Sequence, residues 1–152
     1  MSTLILMCGI PGSGKTSFAT SLINSHVDPD EYIYICPDHI RGKLCGNSGD
    51  QSVSKQAWTI AHEQLEKALS LSHDVQVIFD AVLVNPRTRR HLVGIAKKYN
   101  ANVVYIIMAT PLKQAIGRNS TRSRKVLTDV IEDFDARFNN EFPFVKKDRN
   151  ES

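Results

Sequence analysis

The chain has 152 residues, 41% of them hydrophobic and 23% charged, with a formal net charge of +3. That length suits one domain around one core, the composition excludes a disordered or fibrous chain, and so mild a charge by itself points to no particular partner. Its three cysteines, Cys8, Cys36 and Cys45, have no metal-ligand spacing and read as core thiols in a reducing compartment.

Met1-Ser2-Thr3 has no basic region, and the apolar run that follows is too short for a signal peptide or a membrane span. A cytoplasmic chain with no membrane partner is expected. Leu4–Cys8 reads as a first strand. Gly9-Ile10-Pro11-Gly12-Ser13-Gly14-Lys15-Thr16 follows directly, a full match to G-x-x-x-x-G-K-[ST] in the strand-to-helix setting that a phosphate loop needs. Glycines let backbone wrap closely around phosphates, successive N–H groups form an anion nest, and the next helix adds its positive end. Gly9, Pro11, Gly12, Ser13 and Gly14 are therefore expected to cradle ATP. Lys15 would reach its β- and γ-phosphates, and the Thr16 hydroxyl would ligate Mg²⁺. The bland alternative is a glycine-rich turn with a solvated lysine. A helix over Thr16–Ile23 would turn Phe18, Leu22 and Ile23 to one side.

Asp28-Pro29-Asp30 is read as a turn, a superficial D-x-D with no apolar strand before it. Tyr32–Cys36 is the second strand. Asp38 follows it, with Arg41 one helical turn beyond, so both side chains share a face at the sheet edge. A carboxylate there can accept a proton from an attacking hydroxyl while the guanidinium holds an anionic group of the acceptor. A local i,i+3 ion pair is the alternative. Gly46–Gly49 reads as a loop. Val53–Leu71 reads as a helix with Ala57, Ala61, Leu65, Ala68 and Leu69 as its apolar stripe.

Val75–Phe79, ending in Asp80, has the form of a Walker B strand, with an acid at the edge where open α/β sheets place ligands. Asp80 is thus a candidate for holding Mg²⁺ through water or for orienting another group, against a plain strand-ending acid. Asn85-Pro86 is a cap and first-turn proline for a helix to about Tyr99, with Leu92, Ile95, Ala96 and Tyr99 inward. Its first turn, Arg87-Thr88-Arg89-Arg90-His91, puts cations where the dipole favours anions. That hints at an anionic partner, with a solvated basic face as the equal alternative.

Val103–Met108 is the fourth strand. Pro111 to Lys125 then holds five Lys/Arg and no acid. Arg118 and Arg122 lie four apart in it, with Arg124 close by and Gly117 able to ease movement. A mobile lid could bring such guanidinium groups to the ATP phosphates while excluding water; a solvated basic face is the alternative. Thr128 is expected to cap a last helix that packs Val130, Ile131, Phe134 and Phe138 inward. Residues after Val145 are polar and expected to fray. The histidines at 26, 39, 62, 73 and 91 have no metal-ligand spacing.

Near-continuous apolar strands alternating with helices predict an α/β fold, a P-loop NTPase three-layer sandwich with a four- to five-stranded parallel sheet and a helical lid. The expected organisation is one kinase domain over residues 1–145, a lid at about 111–126 and a polar tail at 146–152.

Several of these residues together resemble the kinase domain of phage-type 5′-polynucleotide kinase-phosphatases, within the P-loop kinases that include zeta-toxin-like proteins. The resemblance runs from about residue 3 to residue 139. It is carried by Gly9 to Thr16, Pro37-Asp38-His39-Ile40-Arg41, Asp80 with Asn85-Pro86, Ala96-Lys97-Lys98-Tyr99 and Arg118-Asn119-Ser120-Thr121-Arg122. It implies that Asp38 is the general base for a 5′-hydroxyl, that Arg41 engages the acceptor and its neighbouring phosphate, and that Asp80 supports the acceptor site. Arg118 and Arg122 would be lid arginines on the ATP phosphates, and a nucleic-acid 5′ end would be the partner. The chain departs from the family pattern at Pro37 and at Ala81-Val82, both on the acceptor side, and only the family's kinase portion is expected. A small-molecule kinase is the alternative, and a non-catalytic ATP-binding switch a further one.

Overall fold

Four apolar runs pair as a parallel sheet in a computed structural model that describes residues 1–25, 32–45, 53–121 and 126–145. The strands are β1 (Thr3–Cys8), β2 (Tyr32–Ile35), β3 (Gln76–Asp80) and β4 (Asn102–Ile107), in the spatial order β2-β3-β1-β4. β1 lies between β3 and β4, with Leu6 opposite Phe79 on one side and Tyr105 on the other. Because successive side chains of a strand point to opposite faces, each strand feeds two apolar layers. Leu4, Leu6, Cys8, Val77 and Phe79 belong to the larger one. Ile5, Met7 and Ile78 meet Ala19 on the other face.

Helices cover both faces. α1 (Lys15–Asn24) supplies Ala19 to the smaller layer. The larger layer is closed by α3 (Ser54–Leu69), α4 (Pro86–Lys98), α5 (Leu112–Ser120) and α6 (Thr128–Glu141), while α2 (Pro37–Cys45) follows β2. This is the expected three-layer α/β sandwich, with four strands among the described residues. The predicted stripe of α3 is buried as a whole. Asn85 caps α4 through its side chain, which accepts a hydrogen bond from the Arg87 amide at 2.9 Å, with Pro86 in the first turn.

Several local expectations are corrected. Phe18 is 43% exposed, and Ala19 faces the sheet in its place. Thr128 is the first residue of α6 and not its cap; Leu127 holds the cap position without a side-chain hydrogen bond. Val130 is exposed while Ile131 and Phe138 are buried, so the apolar face of α6 is rotated from the one expected. β4 is an edge strand with Val104 and Tyr105 exposed, so burial on both faces holds only for the inner strands. His26, the Asp28–Asp30 turn, the Gly46–Gly49 loop, Arg122, Arg124 and the segment after Val145 lie outside the described residues.

Candidate active site

The phosphate-loop sequence leaves β1 at its C-terminal end and turns into α1, and two of its glycines take conformations that side chains resist. Gly12 has φ +82° and Gly14 φ +92°, in the left-handed region where a Cβ is unfavourable. Steric crowding adds a second reason. A Cβ on Gly12 would lie 2.3 Å from the Ala115 carbonyl oxygen of α5, and one on Gly9 would lie 2.5 Å from Ser13 Oγ. The Ser13 carbonyl accepts hydrogen bonds from Thr110 Oγ1 at 2.8 Å and from Arg118 Nη1 at 3.2 Å. The connection after β4 and helix α5 are thereby tied to the loop, and Arg118 is held against it. Lys15 Nζ donates to the Ile10 carbonyl at 3.2 Å.

One cavity of about 570 Å³ opens over this loop. Pro11 to Thr16 line it, and so do Asp38, Arg41, Asp80 and Arg118; Gly9 is buried and does not reach its surface. Ten of the twelve predicted site residues therefore share one space, with Gly9 not among its lining and Arg122 outside the described residues. Thr16 Oγ1 donates to Asp80 Oδ2 at 2.9 Å. A hydroxyl and a carboxylate so placed are a donor set suited to a hard divalent cation. Arg41 is buried and its Nη2 donates to Asp38 Oδ1 at 2.5 Å. The i,i+3 contact weighed from the sequence is thus present, and it sits on the wall of the cavity.

The structure adds residues that sequence reasoning passed over. Tyr34 donates its hydroxyl to the same Asp80 oxygen as Thr16 does. Burial, followed by the Asp80 charge, raises the Tyr34 pKa well above the usual phenol value, so its hydroxyl stays protonated and donates its hydrogen bond to Asp80. Burial likewise raises the Cys36 thiol, with Asp80 adding to the effect, and pushes Cys8 up to about 11. Both remain neutral thiols and poor nucleophiles. Trp58 of α3 lines the cavity and packs against Phe79 at 5.7 Å between ring centroids. From α6, Val130, Phe134 and Arg137 line the opposite wall. Their i, i+4, i+7 spacing was legible as one helix face, but periodicity does not say whether a face meets core or cavity.

The loop after β3 is strained. Leu83 has φ +56°, a left-handed conformation that costs a non-glycine residue about 1–3 kcal/mol. It is held because its side chain is buried and its carbonyl accepts from Arg89 Nη1 at 2.7 Å. No residue type in Asp80–Asn85 signals that turn.

A phosphate loop at the C-terminal edge of a parallel sheet, with Asp38, Asp80, Arg41, Arg118 and Arg137 around the same cavity, defines a P-loop kinase-like domain. More particularly, residues 4–141 match the AAA domain family, and the chain belongs to it. It is 26% identical over 138 residues to L-seryl-tRNA(Sec) kinase from Methanococcus maripaludis, an alignment covering 89% of this chain and 52% of that protein. The chain thus spans about half the length of this curated relative. Its fold resembles a chain of the Pnkp1/Rnl/Hen1 RNA repair complex with TM-score 0.79 at 20% identity, covering 93% of this chain and 45% of that one. Shikimate kinase from Bacteroides thetaiotaomicron is similar at TM-score 0.56 and 10% identity, over 94% of this chain and 81% of the enzyme. Among the described residues no helix is long and apolar enough to cross a membrane.

Proposed function

We propose that this P-loop kinase transfers the γ-phosphoryl group of ATP to the 5′-hydroxyl of a polynucleotide. The observation that carries the reading is the single cavity that joins the phosphate loop to the Asp38–Arg41 pair, so that donor and acceptor elements face one space. The residues fit the donor and its metal. Left-handed Gly12 and Gly14 expose backbone, Ser13 Oγ is buried without a hydrogen-bond partner among the described residues, and Thr16 and Asp80 form the hydroxyl–carboxylate pair. Mg²⁺ held by Thr16, and by Asp80 through water, would neutralise phosphate charge. In this assignment Asp38 takes the proton of the acceptor hydroxyl as its oxygen bonds to the γ-phosphorus. The bond from that phosphorus to the β-phosphate oxygen breaks, and ADP leaves. Lys15 and Arg118 stabilise the charge that develops on the transferred group, with Arg122 added from the segment assigned as a lid, about 111–126.

Arg41 is assigned to the phosphate beside the acceptor nucleoside. A guanidinium's five N–H donors allow it to hold Asp38 and that phosphate together. The names of the seryl-tRNA kinase and of the RNA repair complex support an acceptor linked to nucleic acid. The second reading is a small-molecule kinase. It is favoured by a cavity in the volume range of small-ligand sites and by the fold similarity to shikimate kinase. The kinase unit is assigned to residues 1–145.

The deciding experiment follows labelled phosphate from ATP and Mg²⁺ to a 5′-hydroxyl oligonucleotide, a 3′-nucleotide, a nucleoside and a panel of small alcohols. Transfer to the two phosphate-bearing acceptors above the nucleoside is expected. Robust transfer to a small alcohol with none to either of those acceptors would establish the second reading, and ATP binding without transfer to any acceptor would favour a switch.

A further inference from the structure

We propose that the groove between α4 and β4 is a second docking surface, which takes the backbone of the single-stranded polynucleotide whose 5′ end enters the active site. The inference rests on the polynucleotide reading above and extends it to a surface outside the active-site cavity. The groove, of about 450 Å³, is lined by Arg90, Val93, Gly94 and Lys97 of α4 and by Tyr105 of β4.

Charge is the first argument. α4 carries five Lys/Arg and no acid. Arg90 and Lys97 have no ion-pair partner among the described residues. They lie seven residues apart, about 10 Å along the helix axis, far enough to hold different phosphates of one strand. Tyr105 is 44% exposed and shares the β4 face of Val103 and Ile107, so it offers a ring beside the two cations. Cations that track a backbone, together with an aromatic face for a base, are what a single strand requires of a protein surface.

Gly94 is the second argument. It sits inside α4, where glycine is disfavoured relative to alanine, yet a Cβ there would meet nothing within 4 Å. No internal packing requires the glycine. Its effect is a bare backbone floor between Arg90 and Lys97, where a ligand can approach closely.

Continuity is the third. Asn85 and Thr88 line the active-site cavity, whereas Pro86 and Arg89 line the groove. The first turn of α4 is the ridge between them. Arg89 is anchored there by Glu141 at 2.5 Å, so a strand leaving Arg41 needs to cross only that turn to reach Arg90.

The test measures fluorescence anisotropy of a labelled, 5′-phosphorylated single-stranded oligonucleotide, which is not an acceptor, across a salt series. Arg90→Ala with Lys97→Ala should weaken binding on the order of tenfold and reduce the salt slope by about 1.4, two contacts at about 0.7 each. Gly94→Glu is the second variant. It removes a helix-disfavouring glycine and adds i,i+4 and i,i+3 pairing with Arg90 and Lys97, so it should melt no lower than the parent while binding several-fold more weakly. The KM for a 3′-mononucleotide acceptor should be unchanged in both variants. Parent-like affinity and slope in both variants, no binding by the parent, or equal competition by poly-glutamate would each overturn the groove. Transfer to a 5′-hydroxyl oligonucleotide alongside unmoved binding overturns the groove alone. Groove-dependent binding without any transfer overturns the polynucleotide-kinase reading and leaves a nucleic-acid surface.

Discussion

Gly12 and Ala115 are in backbone contact across the molecule: a Cβ on Gly12 would come within 2.3 Å of the Ala115 carbonyl oxygen. The phosphate loop and α5 therefore fit together only because position 12 has no side chain. Gly12→Ala combines that clash with a left-handed φ of +82°. It should cost about 1–3 kcal/mol of stability from the backbone conformation alone. It should also lower phosphoryl transfer on the order of 10²-fold by displacing Arg118 from the loop. Urea denaturation and steady-state kinetics on the same preparation check both parts. A variant with parent-like stability would mean that α5 does not lie on the loop.

Asp80 is held from two sides, by Thr16 and by Tyr34, both donating to Oδ2. If Asp80 supports Mg²⁺ as proposed, Tyr34→Phe removes a partner that orients it. Losing such a partner typically costs 10- to 100-fold in metal affinity. The Mg²⁺ concentration for half-maximal activity should rise about tenfold at the low end of that range, with the acceptor KM unmoved. Asp80→Asn should shift it further. A Mg²⁺ titration that superimposes on the parent in both variants would remove Asp80 from the metal site.

The donor half of the site was legible because a phosphate loop is one contiguous stretch with a fixed relation to a strand and a helix. The sheet was legible for a similar reason, since near-continuous apolar runs such as Leu4–Cys8 have few alternatives. Tyr34 was not, because the hydrogen bond that gives it a role joins residues 46 apart in the chain. Trp58 and Arg137 were hidden differently. Their helices were correctly anticipated, but α6 turns Ile131 and Phe138 to the core and leaves Val130 facing the cavity. A rotation of one position separates those outcomes, and only packing decides it. Leu83 has no signal at all, for its left-handed φ is imposed by its surroundings and not by its residue type.

His62 carries a pH dependence of stability. Its ring packs between Trp58 and His91, and its Nε2 is buried with no hydrogen-bond partner among the described residues. Burial, followed by the neighbouring His91, lowers its pKa below the usual 6.5. The unfolded chain then binds the proton more readily than the folded one. Stability is therefore full above about pH 6.5 and declines as pH falls from there through the folded value. His62→Leu should flatten that part of the curve of Tm between about pH 7.5 and pH 5. Parallel curves for parent and variant would show that the decline arises elsewhere.

Asp38 and Arg41 can be separated by kinetics even though they touch. Asp38→Asn keeps shape and polarity but cannot take a proton, so on the proposed mechanism kcat should fall about 10²- to 10⁴-fold. Acceptor KM should change little. Arg41→Ala removes a contact to the acceptor's phosphate that persists from the bound state to the transition state, so it should mainly raise acceptor KM. It should also erase the advantage of a 3′-nucleotide over the bare nucleoside, an effect that a purely structural arginine has no means to produce. Stability provides the control. Arg41 is buried beside the half-exposed Asp38, so Asp38→Asn, which keeps an oxygen acceptor for the guanidinium, should cost about 1–3 kcal/mol, and the Tm of each variant shows that it is folded. The chemistry can then be read on a folded protein. The two variants, measured with both acceptors at saturating ATP, give four pairs of kcat and KM. Small and equal losses across all four would reduce the pair to a local ion pair and withdraw the general base from the mechanism.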